Sequence, residues 1–476
     1  MQQLPTIEGK GLAQAKATPI SICRKTLTHL LFPYLRLMSK EKDQQAMLEK
    51  LGISQLNPMQ VTAHKAFAEG LELILIAPTG TGKTLAFLLP VIEQLDPELE
   101  EVQALILVPS RELAIQIEQI ARDMGSGFKI NAVYGGRAGY KDKQDLKHPP
   151  AILVGTPGRI VDHIERENLA TAHIKTLVLD EFDKSLETGF EKQMRAIIKS
   201  IPSLDRKILT SATQSVSIPD FVGLKAPTRL QFEAEDTSRL ALKAVAAGEV
   251  DEYGTLALLL AEVGAGRGIV FCSLKDTLQQ VSVFLDRKKI AHACFYGGMD
   301  QLDREQALIQ FRNGTHRILL STDLASRGID IPELDYIIHF EFPFDEASFI
   351  HRNGRTARMH SQGAAYLIKP QNRDLPHYAR EAEMITLTGD GKLTPSEWST
   401  LYMLGGRKDK ISKGDIAGLF LKESGLKPDQ LGVIELKRDC AYIAVHRSEV
   451  DKMLKVLDNK KLKKKKIRLH LLERKK

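Results

Sequence analysis

The sequence predicts an α/β protein built as two parallel-sheet domains followed by a smaller domain of βαββαβ order. Three observations predict it. Between residues 70 and 235 short apolar runs alternate with amphipathic stretches. Between 251 and 385 that pattern starts again. From about residue 400 strand-like and helix-like segments follow in a different order.

The first domain is expected over 38–235. Its strands are read from "LILIA" (73–77), "ALILVP" (104–109), "AILVG" (151–155), "TLVLD" (176–180) and "KILTSAT" (207–213), each closed by Gly, Pro, Asp, Ser or Thr. Runs apolar at every position are strands buried on both faces, and helical crossovers between them imply a parallel sheet. Residues 236–250 are polar and weakly periodic and are expected to be a linker. The second domain, 251–385, repeats the pattern at "IVFC" (269–272), 293–296, "ILLS" (318–321), "YIIHF" (336–340) and 365–368. A second linker is expected over 386–399. In 400–476, "LYML" (401–404), a helix-like 414–424, "VIEL" (433–436), "AYIAV" (441–445), a helix-like 448–457 and "IRLHLL" (467–472) predict a ferredoxin-like sandwich.

Composition narrows the class. The 476 residues are 43% hydrophobic and 27% charged, as in soluble globular proteins. No apolar run approaches the roughly 20 residues that span a bilayer, so no membrane association is expected. The net charge of +7 is unevenly placed: residues 451–476 hold twelve Lys or Arg against three acids, leaving about −2 for 1–450. A basic tail points to a polyanion partner at that end. Four cysteines, Cys23, Cys272, Cys294 and Cys440, lie far apart, which argues against zinc or a disulfide framework and fits a reducing, cytoplasmic compartment. Residues 1–37 are basic with an apolar patch at Leu30–Tyr34; a transit peptide is one reading. The favoured one is a disordered segment, or one preceding a natural start at Met38.

Two segments carry chemistry. "APTGTGKT" (77–84) follows a buried strand and opens a helix. Gly80 and Gly82 let backbone N–H groups around Thr79, Thr81 and Thr84 curl about phosphate oxygens, Lys83 reaches the outer phosphates, and the Thr84 hydroxyl suits Mg²⁺. Ala77 stands where the strict pattern has Gly. "LDEFD" (179–183) also closes a strand, so its carboxylates face the crevice where such sheets bind ligands. Asp180 suits Mg²⁺ through its water shell. Glu181 is placed to orient or deprotonate an attacking water.

Together with these, "PSRELA" (109–114), "GG" (135–136), "TPGR" (156–159), "SAT" (211–213), "STDLASRGID" (321–330) and "HRNGRTAR" (351–358) occur in the order of the DEAD-box RNA helicase motifs. The chain resembles that family over about 45–385. The resemblance implies two RecA-like domains with ATP and Mg²⁺ between them. It implies that Gln60 reads adenine and that Asp330 contacts ribose. Arg355 and Arg358 match arginine fingers, Ser211 and Thr213 the element coupling nucleotide to RNA, and His351 a partner of the carboxylates across the cleft. Arg111, Gly136, Thr156 and Arg159 match first-domain contacts to the RNA backbone; Gly298, Arg304 and Thr322 match second-domain ones. Backbone contacts position without reading sequence.

There are departures. Ala357 replaces a usual Gly, and Phe182 replaces the Ala of the name motif without loss of a catalytic oxygen. The aromatic expected about 17 residues before Gln60 is missing, leaving Phe32 or Tyr34 as alternatives.

Residues 400–476 resemble the RNA-binding domain of DbpA-type helicases through "LYMLGGRKDKISKGDIAGLF" (401–420) and "DCAYIAV" (439–445). This implies an RRM-like fold and action on structured ribosomal RNA in pre-ribosomal particles of the large subunit. Such a domain stacks bases on strand aromatics. Tyr402 and Tyr442 supply two rings, while Cys440 and Val445 stand where others are common. Each stacked base contributes on the order of 1–3 kcal/mol. Lys463 and Lys464 in "KKLKKKK" (460–466), with Arg468, are expected to supplement them through phosphates. The expected protein is a monomeric RNA-dependent ATPase that remodels RNA. A DNA helicase on the same core and a non-catalytic RNA clamp or annealing protein are the other readings.

Overall fold

The computed structural model describes residues 44–70, 72–78, 80–136, 139–187, 189–212, 217–233, 240–248, 251–323, 331, 334–356 and 363–473. Chain contacts divide it into residues 1–55 and 56–476. Of the first unit, a short helix over 44–50 is described. Everything below concerns the second.

The first lobe is a sheet of seven parallel strands. They are β1 (Leu73–Ile76), β2 (Ala104–Leu107), β3 (Ile130–Val133), β4 (Ile152–Gly155), β5 (Thr176–Leu179), β6 (Arg206–Ser211) and β7 (Thr228–Gln231). Their order is β3-β4-β2-β5-β6-β1-β7. β1, β2, β4 and β5 are buried at every position, because helices cover both faces. The sequence reading passed over β3 and β7. "INAV" is short, and "TRLQ" at the sheet edge has exposed positions.

The second lobe repeats the topology. Its strands are β8 (Leu240–Ala246), β9 (Gly268–Phe271), β10 (Ala293–Phe295), β11 (Ile318–Ser321), β12 (Tyr336–His339), β13 (Gly363–Lys369) and β14 (Glu383–Ile385). The order β10-β11-β9-β12-β13-β8-β14 is that of the first lobe, strand for strand. This corrects the linker expected over 236–250: residues 240–246 form β8, paired along its whole length with β13 and also with β14. β8 is only partly buried and carries Lys243, so it reads as polar although it lies inside the sheet.

The third domain has β15 (Trp398–Leu404), β16 (Leu431–Leu436), β17 (Cys440–His446), a small hairpin of β18 (Lys461–Leu462) and β19 (Lys465–Lys466), and β20 (Arg468–Leu471). The main sheet runs β16-β17-β15-β20, all antiparallel, with helices packed on one face. Leu401, Met403, Ile443 and Val445 point to those helices and meet Ile416, Phe420, Met453 and Leu457. The other face is covered as well. Helix Gln301–Arg312 of the second lobe lies against it, with Ile309 packed on Tyr442 and Leu472. Gln310 Nε2 donates to Leu472 O at 2.9 Å, and Thr400 Oγ1 lies 3.2 Å from Asn313 Nδ2 and 2.7 Å from Thr315 Oγ1. Arg312 donates twice to Glu435, at 2.8 and 2.9 Å, and Lys437 pairs with Glu305 at 2.6 Å.

Among the described residues no helix is long and apolar enough to cross a membrane.

Candidate nucleotide and RNA site

The loop after β1 is held from several sides. Ala77 N donates to Ser211 O at 3.1 Å, tying the loop to the end of β6. Asn57 caps helix Pro58–Ala68 in a reciprocal capping box with Gln60. The same two side chains grip the loop: Asn57 Nδ2 donates to Thr81 O at 2.9 Å and Gln60 Nε2 to Gly82 O at 3.2 Å. Gly82, at φ 87°, begins helix Lys83–Glu93. A Cβ there would strike the Gln60 amide at 2.5 Å, so the position requires glycine. Lys83 Nζ donates to Ala77 O and Pro78 O at 2.5 and 2.9 Å. Burial lowers its pKa, opposed by the charges of Asp180 and Glu181.

Asp180 ends β5. It accepts from the Thr210 hydroxyl and from Glu181 N, and that N–H also reaches Thr210 Oγ1 at 3.1 Å. Thr210 therefore sets the carboxylate pair, a role that no spacing rule announced. Glu181 has φ 46°, a left-handed conformation that costs a non-glycine residue of order 1–3 kcal/mol. Its Oε2 is buried without a hydrogen-bond partner among the described residues. Burial raises the pKa of Glu181, helped by Asp180, and burial raises that of Asp180 against its Thr210 bond. Phe182 is 1% exposed and packs into the lobe's apolar core, so the ring points away from the carboxylates.

The second lobe reaches this site. His351, on helix Glu346–Asn353, places Nε2 3.7 Å from Asp183 Oδ2. Burial would raise the pKa of Asp183, but the nearby His351 imidazole and the Lys184 charge outweigh it and hold it low. The predicted partner of His351 is thus the last carboxylate of "DEFD", which sequence reading did not single out. Arg355 is buried, and its charge is felt at both Glu181 and Lys83. Behind it, Arg352 donates to Asp323 at 2.5 and 2.6 Å, to Glu341 O at 3.0 Å and to Ser273 Oγ at 3.2 Å, which fixes the segment that carries Arg355. Thr84 is half-buried at the start of its helix, and Ser211 is buried at the end of β6. Thr79, Thr213, Asp330 and Arg358, with the alternatives Phe32 and Tyr34, lie outside the described residues.

The backbone-contact candidates form a second group. Arg111 begins the helix Arg111–Met124 and packs on Gly135 and Gly136; a Cβ at Gly136, φ 87°, would meet Arg111 Nη1 at 2.5 Å. Arg159 Nε donates to Asp142 at 2.8 Å and Nη1 to Asp162 at 2.9 Å. Asp142 is fully buried and also lies 3.3 Å from His163 Nε2, so it fixes the Arg159 fork. Thr156 precedes helix Pro157–Glu165. From the second lobe, Arg304 pairs with Glu112 at 3.0 Å and lies over the Phe295 ring, and Arg111 reaches Gln301 at 3.4 Å. Gly298 has φ 91°, and Thr322 N donates to Phe295 O at 3.4 Å.

The third domain requires a correction. Tyr442, expected to stack a base, is 1% exposed beneath helix Gln301–Arg312. Tyr402 is half-buried, with ring centroids 5.5 Å from Tyr442 and 4.6 Å from His470. The aromatic face is a domain interface in this arrangement. Lys463, Lys464 and Arg468 are exposed; Lys463 pairs with Asp415 at 2.6 Å, and Arg468 Nε lies 3.5 Å from Asp458.

Residues 57–221 match the DEAD/DEAH box helicase family, 253–360 the helicase conserved C-terminal domain and 400–471 the DbpA RNA binding domain. The chain is 32% identical over 446 residues to the ATP-dependent RNA helicase DbpA of Escherichia coli (strain K12), covering 90% of this chain and 96% of that one. It is 30% identical over 461 residues to the protein of the same name from Bacillus subtilis (strain 168), covering 89% and 96%. Its fold is similar to that of S. cerevisiae Dbp5 bound to RNA and ADP BeF3, with a TM-score of 0.64, 24% identity and coverage of 73% of this chain and 94% of that chain.

Proposed function

Since this chain belongs to the DEAD-box RNA helicases, to their DbpA type, and is an RNA-dependent ATPase, we propose that it uses ATP hydrolysis to unwind or remodel short RNA duplexes, with ribosomal RNA of the large subunit as its substrate. The observation that carries the motor reading is Glu181. Its buried carboxylate oxygen has no hydrogen-bond partner among the described residues, beside Lys83 and within the field of Arg355 from the other lobe.

The residues fit ATP and Mg²⁺. Gly80 and Gly82, both at positive φ, shape a loop of N–H groups at a helix start, and Thr210 orients the carboxylate of Asp180 beside it. Lys83 and the N–H groups of 80–84 would hold the phosphates. Thr84 and Asp180 would hold Mg²⁺, largely through water, and the ion would neutralise phosphate charge. Glu181 then orients or deprotonates water. Arg355 and Arg358 balance the charge spread over the transferred group. Arg111, Gly136, Thr156 and Arg159 on one lobe, with Gly298, Arg304 and Thr322 on the other, hold one strand by its backbone in a bent form that a duplex cannot adopt.

Turnover of ATP is expected to rise severalfold with structured RNA and little with DNA of the same sequence. Equal stimulation by both would favour the DNA helicase reading. The ribosomal part of the proposal rests on the DbpA-type C-terminal domain, and crosslinking of bound RNA in cells tests it. With Tyr442 covered, the basic edge is left to recruit RNA. Replacing Lys463, Lys464 and Arg468 together by Ala is expected to lower the slope of log affinity against log salt by about 2–3, for three phosphate contacts at roughly 0.7–0.9 each. An unchanged slope in a salt titration would remove those residues from the RNA site.

A further inference from the structure

Glu181 sits in a backbone conformation that it would leave if nothing held it. Its φ of 46° is left-handed, and a residue with a side chain persists there only where its surroundings fix it. On the strand side the fixing group is Thr210. β5 and β6 pair in parallel with Leu179 opposite Leu209, so the next residues, Asp180 and Thr210, lie side by side. The Thr210 hydroxyl is buried; it donates to Asp180 Oδ1 and accepts from Glu181 N at 3.1 Å. Thr210 is itself held from the far side, where β6 pairs with β1 and places it opposite Leu75. On the helix side, Glu181 O accepts from Lys184 N at 3.0 Å and from Ser185 N at 3.1 Å, which starts helix Phe182–Glu187. A helix of six residues has too few internal bonds to hold its own place. Its first residue, Phe182, ties it to the lobe: the ring is 1% exposed and shares a buried apolar cluster with Leu179, Met194 and Ile197.

We propose that Thr210 and Phe182 are positioning residues for Glu181: the Thr210 hydroxyl holds its N–H, the Phe182 ring holds the residue that follows, and together they keep its carboxylate in the crevice. The ring at 182 is then a requirement of this chain and not a neutral replacement for the Ala of the name motif. An alanine there would leave a cavity behind the turn and free the backbone to relax toward its ordinary conformation. Without the Thr210 hydroxyl, Glu181 N would keep only the carboxylate of its own neighbour, Asp180, at 3.1 Å. Both side chains are buried and engaged within the lobe, so each acts through the placement of Glu181.

This role rests on Glu181 being the base proposed above, and the experiment separates the two. The full-length protein is assayed for RNA-stimulated ATP turnover, KM for ATP and ATP-dependent RNA binding. The variants are Thr210→Val, Thr210→Ser, Phe182→Ala and Phe182→Leu, each with Glu181 intact and with Glu181→Gln. Thr210→Val and Phe182→Ala are each expected to lower kcat about 10–100-fold, the scale of a misplacement near ~1 Å, with KM and RNA binding within about threefold of wild type. Thr210→Ser keeps the hydroxyl and Phe182→Leu keeps the core filled, so both should retain kcat within about threefold. In the Glu181→Gln background neither Thr210→Val nor Phe182→Ala should lower the residual turnover further, because residues acting through one group are not additive. Wild-type kcat in Thr210→Val, or in a folded Phe182→Ala, would overturn the positioning role; the Thr210 arm decides where Phe182→Ala does not fold. A loss that Thr210→Ser shares, or losses that multiply with that of Glu181→Gln, would overturn it too, since either marks a general structural effect. Glu181→Gln with wild-type turnover would overturn the base reading and the positioning role with it.

Discussion

Glu181→Gln is expected to lower RNA-stimulated ATP turnover by about 10²–10⁴-fold while leaving ATP-dependent RNA binding in place. Glutamine has nearly the same shape and keeps a hydrogen-bonding oxygen, so the buried site stays filled. What it loses is the ability to take a proton from water. The left-handed backbone at this position places the side chain in the crevice, and the Thr210 hydroxyl that meets Glu181 N and Asp180 is unaffected by the change. The variant should therefore close on nucleotide and RNA and remain closed. Single-turnover hydrolysis and RNA filter binding with ATP test the two halves separately. Wild-type turnover would remove Glu181 as the base. Lost binding with lost turnover would make it a structural residue instead.

Arg355→Ala is expected to cost about 10³–10⁵ in kcat, the range for residues that neutralise a transferring phosphoryl group from across a domain boundary. The residue lies on the second lobe, yet its charge is felt at Glu181 and Lys83 on the first. It can act only when the lobes are together, so the loss should fall on kcat with a smaller effect on nucleotide affinity in the open form. Arg355→Lys should recover only part of the rate, because an ammonium is a point charge without the planar fork. Steady-state kinetics on the three proteins gives the answer. A kcat within tenfold of wild type for the Ala variant would place the phosphate contact elsewhere.

Lys83 and Glu181 were legible before folding, whereas the placement of Arg355 was not. Lys83 opens a helix one glycine-rich loop after an apolar strand, and Glu181 lies in an acidic cluster directly after another. Both the strand and the turn are local patterns, so their nearness was legible. Asp142 and Thr210 were not singled out, although each fixes a site residue. An Asp in a helix full of Lys and Asp looks solvated, and a Thr inside a strand looks like a strand former. β8 was hidden for a related reason: partial burial blurs alternation, and Lys243 made the segment look like a linker.

The amino-acid pattern by itself determined that the chain is α/β, that a second α/β domain follows the first, that a βαββαβ domain comes after it, and which loops carry the phosphate and carboxylate chemistry. Those features follow from burial and turn geometry, which neighbours along the chain encode. Only the tertiary structure decided that His351 meets Asp183, that Arg355 comes within the field of Glu181, and that the aromatic face of the third domain is taken by helix Gln301–Arg312. An apolar ring at a strand position asks for a cover. Whether a base or a neighbouring helix provides it depends on surfaces more than a hundred residues apart, and those meet only in the packed chain.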